Sequence, residues 1–171
     1  MDTAFKKGKM LAMPDMLVRL YNMPEIDNSR AQKEGVAVKR AMALDKTKIL
    51  TFVRENFEDE GWVSECERAI FNDPISCYIA VKDEEVIGFA CYDATAKGVF
   101  GPMGIKETAR GKGIGEALLR ACLHSMKEKG YAYAAIGWVT DAVEFYKKAV
   151  GAEVIEGSLP EKSVYKNLIS P

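Results

Sequence analysis

The segment Arg110-Gly111-Lys112-Gly113-Ile114-Gly115 sets three glycines and two cations within six residues. From there Ile114, Ala117, Leu118, Ala121, Cys122 and Ser125 recur on one side of a helical period, with Gly130 placed as a stop. The glycines therefore straddle the turn into a helix. The first four N–H groups of a helix lack intrahelical partners and the dipole there is positive, so bare glycine backbone can close around an anion. Arg110 and Lys112 add charge suited to a multiply charged ligand, and a pyrophosphate fits this chemistry. The bland alternative is a tight turn whose glycines only relieve strain. A P-loop is excluded because Gly113, and no hydroxyl, follows Gly111-Lys112. A dinucleotide fingerprint is excluded because the spacing is G-x-G-x-G, with apolar residues where an acidic one should stand about 20 positions on. The pattern that remains is R-x-x-G-x-G.

The elements that must carry this loop read in a definite order. Met10, Leu11, Met16, Leu17 and Leu20 have helix-like spacing, and residues 22–35 have a linker's composition, so residues 1–34 are expected to form an added helical arm and linker. Val36 to Met42 alternates as a strand. Asp45 then opens a helix with Ile49, Leu50, Val53 and Phe57 on one face, and a second helix follows with Trp62, Cys66, Ala69 and Ile70. Three β-rich runs lie between Ser76 and Ile105, broken at residues 83–85 and 96–98. The last, Val99 to Ile105, holds two glycines and a proline, a composition poor for a continuous ladder and suited to a bulged or splayed strand.

Composition bounds the function. With 171 residues, 48% of them hydrophobic, the chain is long enough for one domain with a full core. A net charge of −1 supplies no broad basic field for nucleic acid or an anionic membrane, so any anion site must be local. Cys66, Cys77, Cys91 and Cys122 lack C-x-x-C spacing and sit in apolar runs, which reads as separate buried thiols in a reducing compartment, with no metal. Without a long apolar stretch, the expectation is a soluble cytoplasmic protein.

From residue 36 to 168 the chain resembles the GNAT superfamily of acetyl-CoA-dependent N-acetyltransferases. Residues 101–119 look like the family's fourth strand and following helix: its V-x-P-x-Y-R-G-x-G-x-G is matched with Ile105 for valine, Glu107 where proline is common and Ala109 where an aromatic is common. Residues 131–155 look like its fifth strand, fourth helix and sixth strand, with Asp141 and Glu144 at capping-box spacing and Gly151 as a C-cap. The resemblance implies a single α/β (α+β) domain over residues 35–171, with a mixed, mainly antiparallel sheet of about six or seven strands and helices on both faces. It also implies that the fourth and fifth strands splay apart.

By that resemblance Met103, Gly104 and Ile105 bind the coenzyme A arm, Arg110, Gly111, Lys112, Gly113, Ile114 and Gly115 grip its pyrophosphate, and Phe145 lies where the helix meets it. Acetyl-CoA is then the co-substrate, and the acetyl group passes by direct attack of a primary amine in a ternary complex. Tyr146 is the implied catalytic acid: a phenol titrates near ~10 and a thiol near ~8.5, close enough for proton transfer to the leaving thiolate. For the general base the sequence offers Glu58, Asp59 and Glu60 at the turn between the two helices, Asp93 on the third expected strand, or water; His124 lies about ten residues into its helix. The acceptor groove falls about Phe57 to Trp62 and about Glu156 to Lys162, on the loop between the sixth and seventh strands. Its acidic turn suits a cationic amine, a small molecule first and a protein amine second; a homodimer is compatible with the family. A catalytically silent acyl-CoA-binding module is the rival reading, because binding needs the loop but not the acid.

Overall fold

The chain is described here over residues 13–170 by a computed structural model. Asp83 and Glu84 both take positive φ, 49° and 65°, which is the two-residue turn whose twist suits a hairpin. It joins β3 (Cys77–Lys82) to β4 (Glu85–Tyr92), and β2 (Ala37–Arg40) pairs on the outer side of β3. β5 (Val99–Ile105) pairs antiparallel with β4 and parallel with β6 (Tyr133–Ile136). With β1 (Met16–Arg19) and β7 (Glu153–Val154) the sheet has seven strands in the order β2-β3-β4-β5-β6-β1-β7. It is the mixed, mainly antiparallel sheet expected.

Helices cover both faces. α2 (Lys46–Phe57) and α3 (Glu60–Ile70) bury Ile49, Val53, Cys66 and Ile70 against one side of β3 and β4. α4 (Ile114–Glu128) lies on the other face, with α1 (Ser29–Lys33) and α5 (Val143–Val150) beside it. Leu118, Leu119 and Leu123 of α4 are fully buried. At about 2 kcal/mol for each such side chain, this fixes the helix and hence the loop at its N-terminus.

The helix expected from Met10, Leu11, Met16, Leu17 and Leu20 is corrected over its described part. Met10 and Leu11 lie outside the described residues; Met16–Arg19 is a strand between β6 and β7, paired antiparallel with both. A spacing of four is even, so Met16 and Leu20 satisfy a helix and a strand alike. Val18 decides for the strand, because Met16, Val18 and Leu20 are all fully buried while Leu17 and Arg19 are partly exposed. A second correction follows from the first. Beyond β7 the chain forms two short 3-10 turns, Pro160–Lys162 and Val164–Asn167, where a strand after the loop at Glu156 to Lys162 was expected. β1 occupies the place between β6 and β7.

The capping box is corrected as well. The N-cap of α5 is Ala142, without a side-chain cap, and Glu144 pairs with Lys147 at 2.9 Å. The Trp138 N–H donates to Asp15 Oδ1 at 3.1 Å, holding the preceding loop to β1, and the helix begins one residue later than the Asp141 spacing implies. Gly151 does close α5, with φ 64°.

Candidate active site

The site begins where two strands part. β5 and β6 pair only at Val99↔Ala135 and Phe100↔Ile136. Directly after Phe100, two residues of β5, Gly101 and Pro102, stand opposite the single residue Cys91 of β4, which is a bulge. Farther along, Lys106 donates its N–H to Ile87 of β4 at 2.9 Å. An antiparallel ladder alternates, so the N–H groups of Met103 and Ile105 point away from β4, toward the side that β6 has left. A ligand entering the gap finds unused backbone donors there. Gly104 faces the other way: a Cβ there would stand 2.7 Å from Cε1 of Phe57, whose ring closes the α2 side of the strand.

The glycine loop sits at the mouth of this gap. Gly111 and Gly113 take φ of 79° and 77°, values that suit glycine, and Gly113 is the N-cap of α4 without a side-chain cap. The first bond of the helix is Ala117 N–H to Gly113, so the N–H groups of Ile114, Gly115 and Glu116 precede the ladder. A Cβ on Gly115 would lie 3.8 Å from both Ile105 and Phe145, so the lack of a side chain leaves room between β5, α4 and α5. The groove so formed holds about 600 Å³ and includes Met103, Gly104, Ile105, Arg110, Gly111 and Gly115. Phe145 lines it too.

The cations divide. Arg110 borders the groove and donates from Nε to Ile105 O at 3.3 Å. Lys112 turns aside, pairs with Glu34 at 3.5 Å and lines a separate cavity of about 160 Å³. A cation absent from the sequence reading takes its place: Arg30 of α1 donates to Gly111 O at 3.3 Å and lies in the groove. Its Cβ would be 2.9 Å from a Cβ on Gly113.

Tyr146 is 8% exposed, packed edge-on against Phe100, the last β5 residue before the bulge, with ring centroids 6.3 Å apart. Burial alone pushes its phenol up to about 12. It therefore stays protonated at neutral pH, and the rise makes it a weaker acid than the free phenol of the sequence argument.

The acidic candidates separate by their partners. Asp93 is fully buried at the β4–β5 turn: burial opposes its charge, but the Gly98 N–H at 2.8 Å, Lys129 at 3.2 Å and Tyr131 at 3.0 Å hold its carboxyl below the usual range. These contacts make it a structural anchor and leave no base there. Asp59 caps α3 by accepting from Trp62 N–H at 3.1 Å, and Glu60 pairs with Arg54 at 2.8 Å, which lowers its carboxyl. Glu58 ends α2 in a left-handed conformation and is exposed. His124 hydrogen-bonds Pro24 O at 3.0 Å, outside the groove.

Two arrangements had no local signal in the sequence. Cys66, Cys77 and Cys91, read as separate thiols, converge from α3, β3 and β4, with their sulfur atoms within 4.8 Å of one another in the core under α3. The cross-strand register Cys77↔Cys91 brings two of them together. On the β6 side of the gap, Tyr165 from the last 3-10 turn packs over Gly137, where a Cβ would lie 2.5 Å from its hydroxyl, and stacks on Trp138 at 4.3 Å. Asp15 links this corner, accepting from Trp138 N–H and from the Ser163 hydroxyl at 2.7 Å. Among the described residues no helix is long and apolar enough to cross a membrane.

Known proteins with this arrangement can now be set beside it. A family model described as "Acetyltransferase (GNAT) family" matches residues 34–152. Among solved structures, the GCN5-related glucosamine N-acetyltransferase region of a fungal multi-domain GH3 β-N-acetylglucosaminidase superposes with a TM-score of 0.67 at 16% identity, over 83% of this chain and 19% of that one. A GCN5-related N-acetyltransferase from Sphaerobacter thermophilus gives 0.64 at 23% identity, over 84% and 49%. A GNAT acetyltransferase from Brucella melitensis in complex with acetyl-CoA gives 0.50 at 17% identity, over 64% and 80%. The chain thus spans about half or less of the first two structures' length. No protein of curated function matches it. The family match extends from the start of the sheet at β2 through the strand gap and the glycine loop to the end of α5, and the chain belongs to the GNAT family of acetyltransferases.

Proposed function

We propose that this chain transfers an acetyl group from acetyl-CoA to a primary amine by direct attack. The observation that carries the reading is the juxtaposition of the β5–β6 gap with the uncapped N-terminus of α4. A diphosphate suits the glycine loop, where Arg30 and Arg110 add positive charge, and an extended amide-bearing arm suits the free edge at Met103 and Ile105. A thioester lying along that edge receives hydrogen bonds that strengthen as its oxygen gains charge during attack. Tyr146, beside the bulge, returns a proton to the departing thiolate.

The acceptor side supports a cationic amine. The α2–α3 turn is acidic, and Trp62, Trp138 and Tyr165 present aromatic surface near the gap. Glucosamine belongs on the acceptor panel because one structural relative is a glucosamine N-acetyltransferase region; spermidine and a lysine peptide complete it. The test is thiol release from acetyl-CoA with each amine. Amine-dependent release is expected. Acetyl-CoA binding without release would instead identify a silent binding module.

A further inference from the structure

One carboxyl near the strand gap differs from those at the α2–α3 turn. Glu65 lies three residues beyond Trp62 on α3, so it continues the side of the helix that lines the groove. It is partly buried, and its carboxylate accepts a hydrogen bond from the Thr95 hydroxyl in the β4–β5 connection. The groups that face it are Thr95, Asp59 at the head of α3, and Tyr165 from the C-terminal turn. Burial pushes the Glu65 carboxyl up, against the Thr95 hydrogen bond, and Asp59 adds to the rise. Burial together with the charge of Glu65 pushes the Tyr165 phenol up to about 12.

Among the described residues, no cation stands with those neighbours. The other buried carboxylate near the β4–β5 turn, Asp93, has Lys129 and Lys97. A partly buried carboxylate without a cation is unfavourable in the charged form, and the missing charge is what an acceptor ammonium brings. Trp62 lines the groove, and Tyr165 lies beside Glu65 and stacks on Trp138; such aromatic faces favour a cation over a neutral polar group. A raised carboxyl is also a stronger base than an ordinary glutamate, as removal of a proton from an ammonium requires.

We propose that Glu65 receives the acceptor as its ammonium and takes the proton that the amine must lose before it attacks. This rests on the acetyl-transfer reading above. One N–H proton passes from the ammonium to the carboxylate, leaving the nitrogen lone pair free to form the C–N bond. When the C–S bond breaks, its electron pair stays on sulfur, and Tyr146 supplies the thiol proton. The new amide nitrogen loses its excess proton, which restores the phenol through solvent. Glu65 then releases its own proton to water, so one proton leaves per turnover.

The test compares wild type with Glu65→Gln in thiol release between pH 5 and pH 9, using the best alkyl amine of the panel and hydroxylamine, which is already neutral at pH 7. The thermal shift given by acetyl-CoA is followed in parallel. For the alkyl amine, kcat/KM should fall roughly 10²- to 10⁴-fold near neutral pH in the variant, and the break of its acid limb should give way to a steady rise with pH that follows the free amine. With hydroxylamine the variant should keep its rate to within a few-fold, and the acetyl-CoA shift should be unchanged. Wild-type kcat/KM and an intact acid limb in Glu65→Gln overturn the proposal while leaving acetyl transfer standing. Equal losses with both nucleophiles, or a lost acetyl-CoA shift, make Glu65 structural and overturn it too. A wild-type chain that binds acetyl-CoA yet releases thiol with neither nucleophile overturns both readings.

Discussion

The two sides of the β5–β6 gap are made of different material. The side proposed for the donor is backbone: glycines at positive φ, an uncapped helix terminus and a strand edge freed by a bulge. The side proposed for the acceptor is built of side chains from remote segments, with Trp62 and Glu65 on α3, Thr95 after β4, Trp138 after β6 and Tyr165 near the C-terminus. Backbone recognition demands residues without side chains in consecutive positions, and so marks the sequence. A side-chain site needs only that the fold bring ordinary residues together, and any residue type can be replaced from another segment. On the proposed assignment a backbone donor site is fixed in kind, while a side-chain acceptor site can differ between chains of one fold.

The largest effect that sharpens this contrast is expected at Tyr146, the proposed acid. Tyr146→Phe should lower kcat by roughly 10²- to 10⁴-fold, about 3 to 5 kcal/mol in the barrier, with little change in acetyl-CoA affinity. Burial is the sole cause of the phenol's upward shift, with no hydrogen bond contributing, so the melting temperature should hold or rise slightly. Because the phenol is pushed up to about 12, no basic limb from Tyr146 should appear below about pH 10. A well-folded variant at wild-type kcat would remove the acid from the account.

Next come substitutions that separate backbone from charge on the donor side. Gly113→Val places a β-branched residue at φ 77° with its Cβ 2.9 Å from that of Arg30. Strain of about 1 to 3 kcal/mol should appear as a loss of roughly 10- to 100-fold in coenzyme A affinity by calorimetry. Lys112→Ala removes a half-buried cation already paired with Glu34, so its effect should stay under about 1 kcal/mol. Equal losses would count against a backbone cradle.

The smallest effect is expected on the acceptor side. Gly137→Ala would press a methyl onto Tyr165 and shift its stack on Trp138. The amine KM should change by a few-fold while the acetyl-CoA KM stays constant. A matched change in both would mean that the two sides are not separable.

Much of this division was visible in the residues. The loop and α4 were legible because glycine spacing and a long one-sided helical period coincide at Arg110 to Gly115. The broken strand at Val99 to Ile105 was legible because glycine and proline weaken a ladder wherever it stands. β1 was not, since Met16 and Leu20 fit both periods, and the burial of Val18 with the pairing to β6 and β7 distinguishes them only in the fold. Arg30 was hidden in a stretch of linker composition that folds into one short helix turn against the loop. Glu65 and Tyr165 are 100 positions apart in sequence, so no spacing rule could join them.

The central claim is that backbone donors hold the coenzyme, and amide hydrogen exchange reads those donors one by one. Acetyl-CoA should slow exchange at Met103, Ile105, Ile114, Gly115 and Glu116, while Met16 to Arg19, shielded from the gap by β6, should exchange as before, and ATP should protect those five amides much less. Unchanged exchange at these five amides with acetyl-CoA bound, or equal protection by ATP, would contradict the account.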